Sequence, residues 1–368
     1  MAARNDSPSL RSVVMSLNRI PGFGKSGTSR ILLARSFVCT ATGLESTVRA
    51  AVKLDVHTHY YPPAYFERIE RAGGEFSFGT SPTGQRIIRY KGTRFFGVTA
   101  PMTDVAQRLA DMDRVGIDVE VVSLSTPNVF FAEGKAQTGV ARMVNDAYAE
   151  LVAKHPGRFL AFASIPMDDP DGALGELARA MDELRMQGVV LLSNIRGRAL
   201  ADAVYRPFFE ECDRRRVCVF VHPMLPVAAE LFAEYVLGAG VFKRLPNIRW
   251  LIAHAGGAIP YLLERLDSGW RDFAECRVNI DEAPSIYLKR LYYDTVTFSP
   301  HDLRLLRDVV GVDHMAMGSD YPHLLGSIDK AVSSIADRDW SADEKEQVFS
   351  GTAFRVLANV PARLAHVI

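Results

Sequence analysis

Val217-Cys-Val-Phe-Val-His222-Pro223 runs five apolar residues without a polar break and ends on a histidine. A strand with one wet face alternates, so a continuous run like this belongs in a sheet covered on both sides. That arrangement implies parallel neighbours joined by crossover helices. Trp250-Leu-Ile-Ala253-His254 repeats the pattern. Working outward, a short β-branched or apolar run followed by a stretch of helical spacing recurs eight times, with the runs at 52–57, 119–125, 159–165, 188–193, 217–222, 248–254, 290–295 and 314–320. Helical patterns fall at 105–116, 140–155, 173–187, 204–216, 260–273 and 303–310, with Gly116, Gly188 and Gly311 at stops and Asp104, Asp171 and Pro300 near starts. Eight such units predict an α/β fold of the (β/α)8 TIM-barrel type. An open doubly wound sheet is the alternative, disfavoured because no GxGxxG opens the first helix.

The 368 residues are 48% hydrophobic and 23% charged, with 43 basic and 43 acidic residues, which suits one large soluble domain or two small ones. Zero net charge supplies no field for a phosphate backbone or anionic lipid, so neither nucleic acid nor membrane is an expected partner. No window approaches the ~20 apolar residues of a bilayer span. Cys39, Cys212, Cys218 and Cys276 form no CxxC pair, against a disulfide scaffold or thiolate zinc finger. Residues 1–50 carry Arg4, Arg11, Arg19, Lys25, Arg30 and Arg35 against Asp6 and Glu45, and read as a disordered leader or a targeting segment. The barrel domain is then 51–368, in a cytoplasmic protein unless the leader directs it to an organelle. An aromatic- and glycine-rich insertion, 60–101, separates the first strand from the first helix and reads as a lid or pocket wall, or as a loop packing on itself. Three stretches after the eighth strand, 326–337, 342–349 and 351–357, read as closing helices.

On a barrel of this type the C-terminal strand tips converge on one site. Those tips carry His57 with His59, then His222, His254, Asp294 and Asp320. His57 and His59 flank Thr58, and residues two apart on a strand point the same way, so both imidazoles can reach one ion. His222 and Asp320 complete a set of three nitrogens and one oxygen suited to Zn²⁺, with Mn²⁺, Fe²⁺ or Co²⁺ also compatible. His254, followed by Ala-Gly-Gly, is expected to move a proton beside the metal, with a fifth ligand as the alternative. Asp320 can share that proton work, and Asp294 is expected to orient a neighbouring ligand. Two-metal hydrolases on such barrels use a lysine at the fourth strand tip. The fourth run, Gly188-Val-Val-Leu-Leu-Ser193-Asn194, has none, so a single divalent metal is expected.

These residues resemble the amidohydrolase superfamily, and within it the amidohydrolase-2 branch that includes the aminocarboxymuconate-semialdehyde and ortho-hydroxybenzoate decarboxylases. The resemblance spans about 52–360. It rests on Leu54-Asp-Val-His57-Thr-His59-Tyr-Tyr-Pro-Pro63, Arg158-Phe followed by Ser164-Ile-Pro166, Phe220-Val-His222-Pro223, Ala253-His254-Ala-Gly-Gly257 and Gly318-Ser-Asp320-Tyr-Pro322. It implies His57, His59, His222 and Asp320 as metal ligands, His254 as the proton-handling histidine, and non-oxidative decarboxylation of a small carboxylic acid. It also implies a homodimer in which Arg265 fits the position of an arginine lent by the partner subunit. The family's insertion arginine looks displaced, Phe96 standing at its place with Arg94 nearby, and the segment between Pro223 and Val241 looks shortened. With Phe95, Tyr60, Phe130 and Phe131, these changes point to an aromatic monoacid. A mononuclear hydrolase of a lactone, ester or amide is the alternative, and a degenerate binding scaffold would lack ligands that are all present here.

Overall fold

The computed structural model describes residues 51–82, 84–223 and 240–365. The leader at 1–50 and most of the shortened segment after Pro223 lie outside these described residues. In chain order the elements are β1 (Leu54–His59), α1 (Pro63–Ala72), β2 (Phe76–Thr80), β3 (Arg86–Tyr90), β4 (Thr93–Gly97), α2 (Val105–Val115), β5 (Val119–Ser123), α3 (Gly134–Lys154), β6 (Phe159–Ser164), α4 (Pro170–Asp182) and β7 (Gly188–Leu192). Next come a short hairpin of β8 (Asn194–Ile195) and β9 (Arg198–Ala199), then α5 (Arg206–Arg215), β10 (Cys218–His222), α6 (Val241–Arg244), β11 (Arg249–Ile252), α7 (Ile259–Asp272) and α8 (Pro284–Leu288). The chain finishes with β12 (Tyr292–Asp294), α9 (Pro300–Val310), β13 (Met315–Ala316), α10 (Ile328–Ala336), α11 (Ala342–Glu346), α12 (Thr352–Val356) and a last turn, Ala362–Ala365.

Eight strands pair in parallel in the order β1-β5-β6-β7-β10-β11-β12-β13. A parallel bridge between Thr58 and Tyr321, with Val56 N–H donating to the Met317 carbonyl at 2.9 Å and His59 N–H to Tyr321 O at 2.8 Å, ties the last segment back to β1. The result is the expected barrel. Alternation sorts its side chains: Leu54, Val56, Val119, Val121, Leu160, Phe162, Val190, Cys218, Phe220 and Leu251 form one cluster inside. Residues of the opposite parity, such as Val122, Ala161, Val189, Val219 and Trp250, join the layer under the helices. Ala353 and Val356 of α12 belong to the interior cluster. Arg249 at the start of β11 donates to Val356 O, so α12 plugs the barrel at the end away from the strand tips.

Helix caps follow chemistry legible in the sequence. Asp104 accepts from Gln107 N–H at the start of α2, Gly116 ends that helix at φ 74°, and Ser299 caps α9 with Pro300 in its first turn. At α4 the cap is Asp169, with Asp171 inside the first turn. The first strand lies two residues later than expected. The eighth is cut to Met315–Ala316, beyond which Met317 N–H donates to Val348 O while its carbonyl still accepts from Val56 N–H of β1. The insertion holds α1 and a three-stranded antiparallel sheet, β2-β3-β4, whose aromatics Phe76, Tyr90 and Phe95 pack on one another. It both builds its own core and, through Arg94 and Phe96, lines the cavity at the barrel mouth.

Candidate active site

His57 and His59 reach the barrel mouth through an irregularity in β1. Leu54 and Val56 face inward, so simple alternation would send 57 and 59 outward. Against β5, however, Asp55 pairs with Glu120 and Thr58 with Val122, three steps on one strand against two on the other. The extra residue reverses the parity, and His59 pairs with inward-facing Ser123. Beneath them the fully buried Arg108 of α2 donates to Glu120 Oε2 at 2.6 Å and to the His59 carbonyl, with its guanidinium 4.9 Å from the Tyr321 ring. This buried ion pair fixes the tip of β1 to α2 and β5.

His222 continues the inward parity of Cys218 and Phe220. Its Nδ1–H donates to Pro223 O at 3.0 Å, which leaves the Nε2 lone pair for the site. His254 and Asp320 stand just past their strands in left-handed backbone, each at φ 54°, a conformation that costs an ordinary residue roughly 1–3 kcal/mol and that clusters at functional sites. After His254 the turn needs Gly256, at φ 77°, where a Cβ would come within 2.6 Å of the Tyr293 ring. Asp294 organises both sides. Its Oδ2 accepts from His57 Nδ1–H at 2.5 Å, and its Oδ1 accepts from Ala255 N–H at 3.0 Å and Val296 N–H at 2.9 Å.

The result is a tight group. His57 Nε2 lies 3.1 Å from His59 Nε2 and 3.4 Å from Asp320 Oδ1. His59 Nε2 is 3.2 Å from the same oxygen, and His254 Nε2 is 3.6 Å from Asp320 Oδ2. Donor atoms of His57, His222, His254 and Asp320 lie within 4.8 Å of one another, as do those of a second set, His59, Asp320 and His323. The expected residues therefore come together, with His254 as close as the expected ligands. His222 Nε2, His254 Nε2 and Asp320 Oδ1 are buried without a hydrogen-bond partner. Each such orphan costs about 1–3 kcal/mol, so three converging on one point fit a divalent cation.

The electrostatics agree with that fit. Burial opposes charge on His57, but the Asp294 and Asp320 carboxylates outweigh it and hold its pKa up at about 10. Burial pushes His59 down to about 3 and His222 well below the usual imidazole range, so both offer lone pairs. Asp320, although buried, is held well below the usual carboxylate range by His254, His57 and His59. The set thus joins one carboxylate and two imidazoles held neutral, His59 and His222, to a proton retained on His57, whose positive charge a metal cation could replace.

Above the group opens a cavity of about 620 Å³, whose wall includes Arg94, Phe96, His222, His254, Asp320 and His323. Phe131, expected on this wall, packs edge-on against Tyr65 at 5.8 Å and does not line the cavity. Tyr60 and Phe130 are buried in the core. Arg265 sits exposed on α7. Sequence reading missed His323, three residues after Asp320, and its neighbour Tyr61. The signal was a histidine on the same turn as a carboxylate already singled out.

An amidohydrolase family model matches residues 54–358, and the chain belongs to that family. The 2-amino-3-carboxymuconate-6-semialdehyde decarboxylase of Dictyostelium discoideum is 27% identical over 334 residues, 84% of this chain and 93% of that protein. The 6-methylsalicylic acid decarboxylase of Penicillium expansum is 26% identical over 332 residues, 83% of this chain and 95% of that protein. Among solved structures, 5-carboxyvanillate decarboxylase from Novosphingobium aromaticivorans, complexed with manganese and 4-hydroxy-3-methoxy-5-nitrobenzoic acid, shares the fold with a TM-score of 0.72 at 20% identity, covering 84% of this chain and 96% of that one. Among the described residues, no helix is long and apolar enough to cross a membrane.

Proposed function

We propose that this chain is a metal-dependent, non-oxidative decarboxylase of an aromatic or unsaturated carboxylic acid. The observation that carries the reading is the meeting of two unpartnered buried donors, His222 Nε2 and Asp320 Oδ1, with His57 and His59 at the mouth of a largely apolar cavity, the unpartnered His254 Nε2 standing beside them. His57, His59, His222 and Asp320 would hold one divalent ion, zinc by donor chemistry, with manganese supported by the metal named with the structural neighbour. When bound, the ion neutralises and orients the substrate's carboxylate.

The protein's own groups do the rest. As the bond to the leaving CO₂ breaks, its electron pair stays on the ring carbon, which must then gain a proton. His254 stands on the cavity wall with Nε2 3.6 Å from Asp320 Oδ2, within reach of such a carbon and of a carboxylate that can share the proton. Phe96 supplies an apolar face for a ring, and Arg94, bonded through Nη2 to Gln85 Oε1 at 3.3 Å, offers a cation at the rim. Arg265 is available on the outside of α7 for a second copy of the chain, so the expected homodimer is part of the proposal.

The test is CO₂ release by the metal-loaded protein from a panel of hydroxybenzoates, muconates, lactones and amides. Release from an aromatic monoacid supports the proposal. Turnover of a lactone or amide without CO₂ selects hydrolysis, and activity confined to dianionic acids removes the aromatic-monoacid assignment.

A further inference from the structure

We propose that the substrate carries an apolar substituent opposite its carboxyl group, and that Leu324 and Leu325 bind that substituent at the rim of the cavity. The proposal rests on the decarboxylase reading above and names the substrate class that the cavity selects, an aromatic acid with a hydrocarbon tail.

The two leucines stand where leucine is not expected. Gly326 N–H donates to His323 O at 3.0 Å, which makes Leu324 and Leu325 the central pair of a β-turn. Such positions favour Gly, Pro, Asn, Asp or Ser. The turn is fixed at its foot, where Ser327 N–H donates to Ser319 O at 2.9 Å and a Cβ on Gly326 would come within 2.2 Å of Asp320 O. Leu324 is 65% and Leu325 92% exposed, yet both line the cavity above the cluster. A single exposed leucine is ordinary. Two in succession, on a pinned turn and in one wall with Phe95, Phe96, Val221 and Ile252, form an apolar rim.

The size of the cavity points the same way. A cavity of roughly 150 Å³ is enough for a benzene ring, so a ring beside the cluster leaves roughly three quarters of the 620 Å³ here for substituents. When the carboxyl group of a ring acid is held at the cluster, the ring position opposite it points to the mouth, where the leucines are. What covers them is then part of the ligand. It is an apolar part, because a leucine side chain has no hydrogen-bonding atom to offer a polar one.

The experiment measures dissociation constants of benzoate and its 4-ethyl, 4-butyl and 4-hexyl derivatives for the metal-loaded protein by calorimetry, in wild type, Leu325→Ser and a Leu324→Ser, Leu325→Ser double variant. Metal content and assembly mass are determined alongside. Wild-type affinity is expected to rise about twofold to fourfold per added methylene, the upper figure being full burial. The double variant is expected to lose about tenfold of the preference for 4-hexylbenzoate over benzoate, with benzoate binding changed less than about twofold and the metal retained. Leu325→Ser loses a smaller part of it. A flat wild-type series, or no binding of any of the four acids, overturns the proposal without recourse to a variant. An unchanged preference in the double variant, equal weakening of all four acids, or loss of the metal also overturns it. So does a changed assembly mass with the preference intact, which assigns the leucines to a contact between copies of the chain. Binding is read without turnover, so a wild type that shows the chain-length gain but releases CO₂ from no acid refutes the decarboxylase reading alone.

Discussion

Asp294 carries more of the site than its place outside the donor group implies. One oxygen fixes the tautomer of His57 and the other pins the turn after His254 through Ala255 N–H. Removing its charge should loosen metal binding by about 10–100-fold, the usual effect of losing the carboxylate behind a ligating histidine, so Asp294→Asn is expected to show that loss in a competitive chelator titration. His254→Gln is expected to retain the metal and to lose roughly 10²–10⁴ of turnover, read as CO₂ released per loaded chain. His57 also gives the site a pH dependence with a definite sign. Its pKa is raised from 6.5 to about 10, so the metal-free chain keeps this proton at neutral pH and loses the associated stability as pH rises through 10. A cation must displace that proton, so metal affinity should climb between pH 7 and pH 10, with proton release on binding in a weakly buffered titration. Affinity falling over this interval would contradict the charge balance described for the site.

At the scale of elements, the strand tips depend on what lies beneath them. Arg108 and Glu120 are both fully buried, and truncating one leaves the other's charge uncompensated. Arg108→Met is expected to lower unfolding free energy by about 3–5 kcal/mol in denaturant titration and to reduce metal affinity, since the His59 carbonyl loses its donor. The barrel itself was legible because buried parallel strands are written as unbroken apolar runs, of which Val-Cys-Val-Phe-Val is the plainest, and because histidines and aspartates stood at their ends. The extra residue between Asp55 and Thr58 was not legible, for nothing in Leu-Asp-Val-His-Thr-His distinguishes a bulged strand from a regular one. Left-handed backbone at His254 and Asp320 was equally hidden, since the surrounding turn imposes it and, although His and Asp adopt it more readily than most residues, few of them do. The insertion was read as aromatic and functional, but its pairing into β2-β3-β4 depends on turns at Gly84 and Gly92 that local composition signals only weakly. Phe131 went astray because aromatic character does not say which face of a loop is the wet one.

Across the described residues, packed apolar side chains and α12 close one end of the barrel and the candidate site occupies the other. The interior is filled by Val121, Phe162, Phe220 and their neighbours and closed at the strand starts by α12, so it offers no channel through the barrel. Ligands have access from the mouth, where the inserted sheet and the segment after Asp320 form the wall. Because the metal would bind the folded chain alone, saturating it at 100 times its dissociation constant should add about 2.7 kcal/mol, seen as a rise in Tm that chelator reverses. The most direct measurement is the divalent metal content per chain of the purified protein beside a His222→Ala, Asp320→Asn double variant, determined by elemental analysis. One ion per wild-type chain and essentially none in a folded double variant is the predicted result, and equal metal content in the two proteins would contradict the account.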